Sequence, residues 1–196
     1  MPSTTLRRLN GFDDTPAKLA ESTLILVDYQ NTYTTGVMEL DGWREALDAA
    51  SALLARARRE GAKVIHVIND GGEGTPYDIR AEIGQIHPSV APADGEPVVV
   101  KKLPNAFLGT DLDEHVDAAG NDDLVVIGFM THMCVAYTTQ GAFLRGNRPT
   151  VVADACATRA LPVTDTEVTS HQLHTSALAA IADLYGTVVP SRTALS

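Results

Sequence analysis

The chain has 196 residues, of which 44% are hydrophobic and 20% charged. That is the balance of one globular domain with a full core, and it excludes disorder and fibrous repeats. Fifteen Lys and Arg stand against 25 Asp and Glu, a net charge of −10 that repels phosphate backbones and anionic lipid, so nucleic acid and membrane surfaces are not expected partners. No apolar run reaches the roughly 20 residues that span a bilayer, and Met1 to Asn10 lacks an apolar signal core, so the expected location is cytoplasmic. In that compartment Cys134 and Cys156 are expected to stay as thiols.

In chain order, short aliphatic runs predict strands at 23–28 (TLILVD), 63–68 (KVIHVI), 97–101 (PVVVK), 124–128 (LVVIG), 150–154 (TVVAD) and 187–189. They are apolar without alternation, as strands buried on both faces of a parallel sheet are. Between them lie helical patterns. Ala46, Leu47, Ala50, Leu53, Leu54 and Ala57 recur at helical spacing over 43–59, with Gly61 as a stop. A second helix is predicted over about 133–144, closed by Gly146. A third carries Leu173, Ala177, Ala180, Ile181 and Leu184 before Gly186, and a weaker one covers 111–118.

The alternation predicts a single domain over 1–196: a three-layer α/β/α sandwich with a six-stranded, mostly parallel, doubly wound sheet, and ligands at the carboxyl ends of the strands. Residues 1–20 form an N-terminal extension. The Gly- and Pro-rich stretch 69–96 is too long for a simple connection and is expected to be a functional loop on the substrate side.

At the predicted strand ends stand Asp28, the pair Lys101 and Lys102, and Cys134 in the turn Gly128-Phe-Met-Thr-His-Met-Cys134. If Cys134 opens a helix, the dipole and a nearby ammonium are expected to lower its pKa and make a nucleophile of it. Asp28 would then carry the proton, and backbone N–H groups of the turn would face an oxyanion. Each residue also has a quieter reading: a small buried hydrophobe for Cys134, a cap for Asp28, a solvated charge for the lysine. Adjacent strand residues point to opposite faces, so only one of the two lysines can enter the site, and spacing alone leaves open which.

Three blocks resemble the isochorismatase-like cysteine hydrolase family, which includes nicotinamidases and N-carbamoyl amide hydrolases. They are Leu24-Ile-Leu-Val-Asp28-Tyr-Gln30-Asn, Val98-Val-Val-Lys101-Lys-Leu-Pro-Asn105-Ala-Phe107, and Gly128-Phe-Met-Thr-His-Met-Cys134-Val. Ile86-His87-Pro88 and Asp154-Ala-Cys156-Ala-Thr158 agree in order, and the likeness runs from about Ser22 to the C-terminus.

The resemblance implies an Asp28, Lys101, Cys134 triad, with Lys101 chosen by its interval before Phe107 and Lys102 as the fallback. It further implies a cis bond between Phe129 and Met130 and an oxyanion hole from the N–H groups of Met130 and Cys134. The reaction implied is hydrolysis of a small-molecule amide through a thioester, in a homo-oligomer. Tyr33, Asn105, Gln30, Asn69, Phe107 and His132 are expected to line the pocket. Nicotinamidase-like members carry an Asp-x-His metal motif after the second strand, where this chain reads Asn69-Asp70-Gly71-Gly72, so neither a metal nor another cofactor is expected. Alternatives are vinyl-ether hydrolysis of an isochorismate-like acid, which needs the Asp without the thiol, and a non-catalytic small-molecule binding domain. Gly71 to Gly74 lacks the Lys-Ser/Thr of a phosphate loop and is read as making the loop pliable, and Cys156 is read as packing.

Overall fold

The computed structural model describes residues 3–196; Met1 and Pro2, the head of the expected extension, lie outside the described residues. Six strands, β1 (Thr23–Val27), β2 (Lys63–Asn69), β3 (Val98–Lys101), β4 (Asp123–Phe129), β5 (Arg148–Ala157) and β8 (Thr187–Val189), form one sheet in the order β3-β2-β1-β4-β5-β8. Every pairing in it is parallel. No residue of β1 is exposed, as expected of a strand covered on both faces.

The two faces pack against different helices. Leu24, Leu26, Val125, Ile127 and Val152 meet α2 (Trp43–Glu60) through Leu47, Ala50, Leu53, Leu54 and Ala57. Their strand neighbours Ile25, Val27, Leu124, Val126 and Val151 face the opposite layer, where Leu112 and Val116 of α3 (Leu112–Ala119) and Ala142 of α4 (Ala136–Leu144) cover them. Period-2 alternation in the sheet against 3.6 in the helices thus builds the three layers.

Several boundaries differ from the sequence reading. The helix predicted over 133–144 begins instead as a π-helical turn, Thr131–Val135, that passes into α4. The predicted helix through Leu184 is α5 (Ser170–Ala180) followed by a second π turn, Ile181–Tyr185. β5 runs three residues past Asp154, with a register shift against β4 between Val126 and Gly128. Two elements went unread: α1 (Leu6–Leu9) in the N-terminal extension, and a hairpin of β6 (Leu161–Val163) and β7 (Thr166–Val168). Both hairpin strands are three residues long and mostly exposed, which leaves a weak apolar signal.

The 69–96 segment is pinned rather than pliable, which corrects the reading of its glycines. Gln30 clamps it, accepting from Asn69 N at 2.9 Å and donating through Nε2 to Asn69 O and Gly84 O. His87 N donates to Tyr29 O, and Asp78 accepts from Gly74 N and Arg80 N. Among the described residues no helix is long and apolar enough to cross a membrane.

Candidate active site

The sheet's order reverses between β1 and β4, and the crevice at that switch point is where an open parallel sheet places its ligands. Asp28 is the first residue beyond β1, Lys101 the last of β3, and Cys134 lies in the π turn after β4. Asp28 holds a left-handed backbone, φ 54°, with its N–H donated to Val67 O across the sheet, an unusual conformation for a residue other than glycine. π turns recur at functional sites because the widened turn re-aims its side chains.

β3 alternates exposed and buried along its length, which separates the lysines: Lys101 is 1% exposed and Lys102 lies outside. Lys101 Nζ stands 2.7 Å from Asp28 Oδ2, 3.2 Å from Cys134 Sγ and 3.4 Å from Asn69 Oδ1. One ammonium therefore bridges the acid and the thiol, all three buried. Asp28 Oδ1 has no hydrogen-bond partner among the described residues, so a buried carboxylate oxygen is left available beside the thiol.

The electrostatics correct one expectation. Cys134 is not acidified; its thiol is pushed up to about 12, first by burial and next by the charge of Asp28, with Lys101 pulling the other way. Burial also raises the carboxyl of Asp28, partly offset by Lys101. For Lys101 burial works against the charge, but Asp28 and the sulfur outweigh it and hold the ammonium protonated. The thiol thus sits beside the close contact of Lys101 with Asp28. Helix dipole and ammonium, which a sequence displays, lose here to desolvation, which it does not.

The peptide bond between Phe129 and Met130 is cis. Tyr33 is buried and meets Phe129 and Tyr77 edge to face, each with 5.7 Å between ring centroids. Burial raises its phenol well above the usual range, and the charges of Asp28 and Cys134 add to this. His132 is half-buried, with Nδ1 2.6 Å from Thr158 Oγ1. Three of the expected lining residues make structural contacts. Gln30 is fully occupied as the loop clamp. Asn105 accepts from Phe107 N and lies against Gly141 of α4, and Phe107 sits under the Arg145 guanidinium at 5.0 Å. Cys156 is buried, with Sγ on Val152 O.

Two contributors were missed by sequence reasoning. Tyr77, the sole Phe, Trp or Tyr of 69–96, packs on Tyr33. His174 of α5 meets Thr131 Oγ1 in the π turn that carries Cys134 at 2.8 Å. A cleft of about 550 Å³, lined by Arg7, Phe12, Phe143 and Arg148, lies instead at the amino ends of β4, β5 and β8, away from the triad. Among the described residues no group of three or more His, Cys, Asp or Glu is placed to hold a metal ion.

Fold and site together define a three-layer α/β protein with an acid, a lysine and a thiol gathered at the sheet's switch point. The Isochorismatase domain family matches residues 22–192. The uncharacterized isochorismatase family protein YddQ of Bacillus subtilis is 38% identical over 168 residues, covering 84% of this chain and 93% of its own. Maleamate amidohydrolase of Pseudomonas putida is 30% identical over 172 residues, 76% of this chain and 75% of its own. The crystal structure of an isochorismatase from Pseudomonas putida KT2440 superposes with a TM-score of 0.96 at 39% identity, covering 100% of both chains. The chain belongs to the isochorismatase family and is a hydrolase of that family.

Proposed function

We propose that this hydrolase cleaves the C–N bond of a small-molecule amide through a thioester on Cys134. The observation that carries the reading is the single buried ammonium of Lys101, in contact with both Asp28 and Cys134. A relative named maleamate amidohydrolase supports a reaction at a C–N bond. The contact between Lys101 and the thiol favours this over a vinyl-ether hydrolysis that uses the acid alone.

The raised thiol pKa makes the base necessary: at neutral pH sulfur attacks only as its proton leaves. Asp28 takes that proton while the Cys134 sulfur bonds to the amide carbon. The carbonyl oxygen gains charge facing the N–H groups of Met130 and Cys134. As the tetrahedral adduct collapses the C–N bond breaks, and Asp28 returns the proton to the departing nitrogen. Water then adds to the thioester and gives a proton to Asp28. The C–S bond breaks, the carboxylic acid leaves, and the proton returns to sulfur. Lys101 keeps its proton throughout, holding the carboxylate and lowering the cost of the developing thiolate.

The test is Cys134→Ala, with purified protein and an amide panel assayed for released ammonia. Turnover should fall to background while the circular dichroism spectrum and Tm stay near wild type. Retention of turnover in Cys134→Ala, with loss in Asp28→Asn, would move the acid-only reaction to the front.

A further inference from the structure

Helix α5 lies against the π turn that carries Cys134, and none of its residues is fully buried. Its inward stripe is Leu173, His174, Ala177 and Leu178, each half-buried, with Leu178 packed on the apolar cluster that includes Cys134 and Val135. A histidine in the middle of such a stripe is costly unless its ring is hydrogen-bonded. His174 Nδ1 finds Thr131 Oγ1 at 2.8 Å, and Thr131 is fully buried at the head of the turn. Burial, with His171 adding, holds the pKa of this imidazole below its usual 6.5, so at neutral pH the uncharged ring meets the hydroxyl.

The backbone hydrogen bonds of the turn fix its shape and not its aim. Met133 N and Val135 N both donate to Met130 O, and Ala136 N donates to Thr131 O and Met133 O, all within 130–136. Besides the contact of the sulfur with Lys101, two bonds made by the turn's own side chains among the described residues tie it to the rest of the fold. One joins Thr131 to His174 of α5, and the other joins His132 Nδ1 to Thr158 Oγ1, just beyond β5, at 2.6 Å. Cys134 follows two residues after His132, and its sulfur stands 3.2 Å from Lys101 Nζ, a distance at which a small displacement changes the interaction. The capping box of Thr169 and Gln172 fixes the first turn of α5 without help from the site, and His174 stands just beyond it.

We propose that His174 is a positioning residue for this hydrolase: through Thr131 it holds the turn so that the Cys134 sulfur faces Lys101 and Asp28. That the sulfur is the nucleophile rests on the amide hydrolase reading above. His174 reaches the turn from the side of a cleft of about 420 Å³, which it lines with His171, Asp154 and Cys156. Asp28, Lys101 and Cys134 do not line that cleft, so His174 acts on the reaction through the turn and not on the substrate.

The experiment follows iodoacetamide labelling of Cys134 at about pH 8 by mass spectrometry, which requires no turnover. It uses wild type, His174→Phe, which keeps a ring without its nitrogens, and His174→Asn, whose amide takes the place of Nδ1, each with and without Lys101→Met. In the wild-type background Lys101→Met should slow labelling about tenfold, the effect of one pKa unit. In His174→Phe that slowing should shrink to less than about twofold, because the sulfur no longer faces the ammonium, and in His174→Asn it should return. Thr131→Val removes the same bond from its other end and should behave as His174→Phe does, and the two together should do no more than either alone. It also decides the matter if His174→Phe fails to fold. With an amide that wild type cleaves, kcat should fall about 30-fold in His174→Phe while KM stays within about twofold, and His174→Asn should recover most of the loss. The inference falls if Lys101→Met slows labelling equally in wild type, His174→Phe and Thr131→Val, or not at all in wild type. If wild type cleaves no amide, the hydrolase reading falls, and labelling alone still decides whether His174 aims the thiol.

Discussion

At Cys134 two charges pull in opposite directions: Asp28 raises the thiol's pKa and Lys101 lowers it, beneath the larger effect of burial. Substitutions at the two should therefore part company in a way that loss of fold would not imitate. Asp28→Asn removes a like charge from the sulfur, so iodoacetamide labelling of Cys134 at pH 8 should speed up, by about tenfold for each pKa unit recovered. Lys101→Met removes the stabilising cation and should slow it. Ammonia release should fall at least ~100-fold in both, since one loses the proton carrier and the other its orienting charge. Mass-spectrometric labelling across pH 7 to 10 reads the first pair of outcomes. Cys156, buried and also pushed up to about 12, serves as the unreactive reference. Equal slowing in Asp28→Asn and Lys101→Met would contradict the electrostatic arrangement.

Among the elements, β1 and β4 pair at Val27 and Gly128. Gly128 has φ 147°, and a Cβ built there would stand 2.1 Å from Val27 O, a backbone atom that cannot step aside. Gly128→Ala is accordingly expected to cost at least about 3 kcal/mol, read as a drop in the urea midpoint, and to misplace Asp28 and the turn carrying Cys134 that leave these two strands. Helix α5 gives a milder case. Thr169 and Gln172 form a capping box, so Thr169→Ala should cost about 1 kcal/mol and lower Tm without displacing the triad. The same elements show what a linear chain displays. Unbroken aliphatic runs announced the parallel strands, and the helix over Trp43–Glu60 was legible almost to the residue from its apolar stripe and Gly61. The π turns were not, because a shifted hydrogen-bond register leaves no mark in apolar spacing. At the site, Asp28, Cys134 and the pair Lys101 and Lys102 were legible as strand-end residues, and only the family resemblance chose Lys101. Tyr77 was not, because it arrives on a loop whose path depends on contacts such as the Gln30 clamp.

For the molecule as a whole, the long 69–96 segment is tied back to the sheet through one carboxylate. Glu96 takes Arg58 of α2 in a two-point pair at 2.8 and 2.7 Å, His66 of β2 at 2.9 Å and the N–H of Ala93 at 2.9 Å. Burial opposes its charge, yet these partners draw its pKa from 4.5 down to about 2. A carboxylate whose folded pKa is depressed stabilises the fold above its unfolded value, and that stability is lost as pH falls from about 4.5 toward 2. A shift of this size corresponds to at most on the order of 3 kcal/mol, less what solvent screens. Burial depresses His66 below 6.5, with Glu96 partly restoring it and Arg58 opposing, so protonating this imidazole also disfavours the fold as pH drops below 6.5. Both groups therefore act in the same direction, and stability should decline on the acid side. Urea midpoints of wild type and Glu96→Gln, measured from pH 7 to pH 3, separate the carboxylate's share. The variant should be less stable at pH 7, and the gap should narrow below pH 4.5 as the wild-type carboxylate takes up its proton. Curves that stay parallel across that range would show that Glu96 acts by packing alone, and that the return of the loop to the sheet does not depend on its charge.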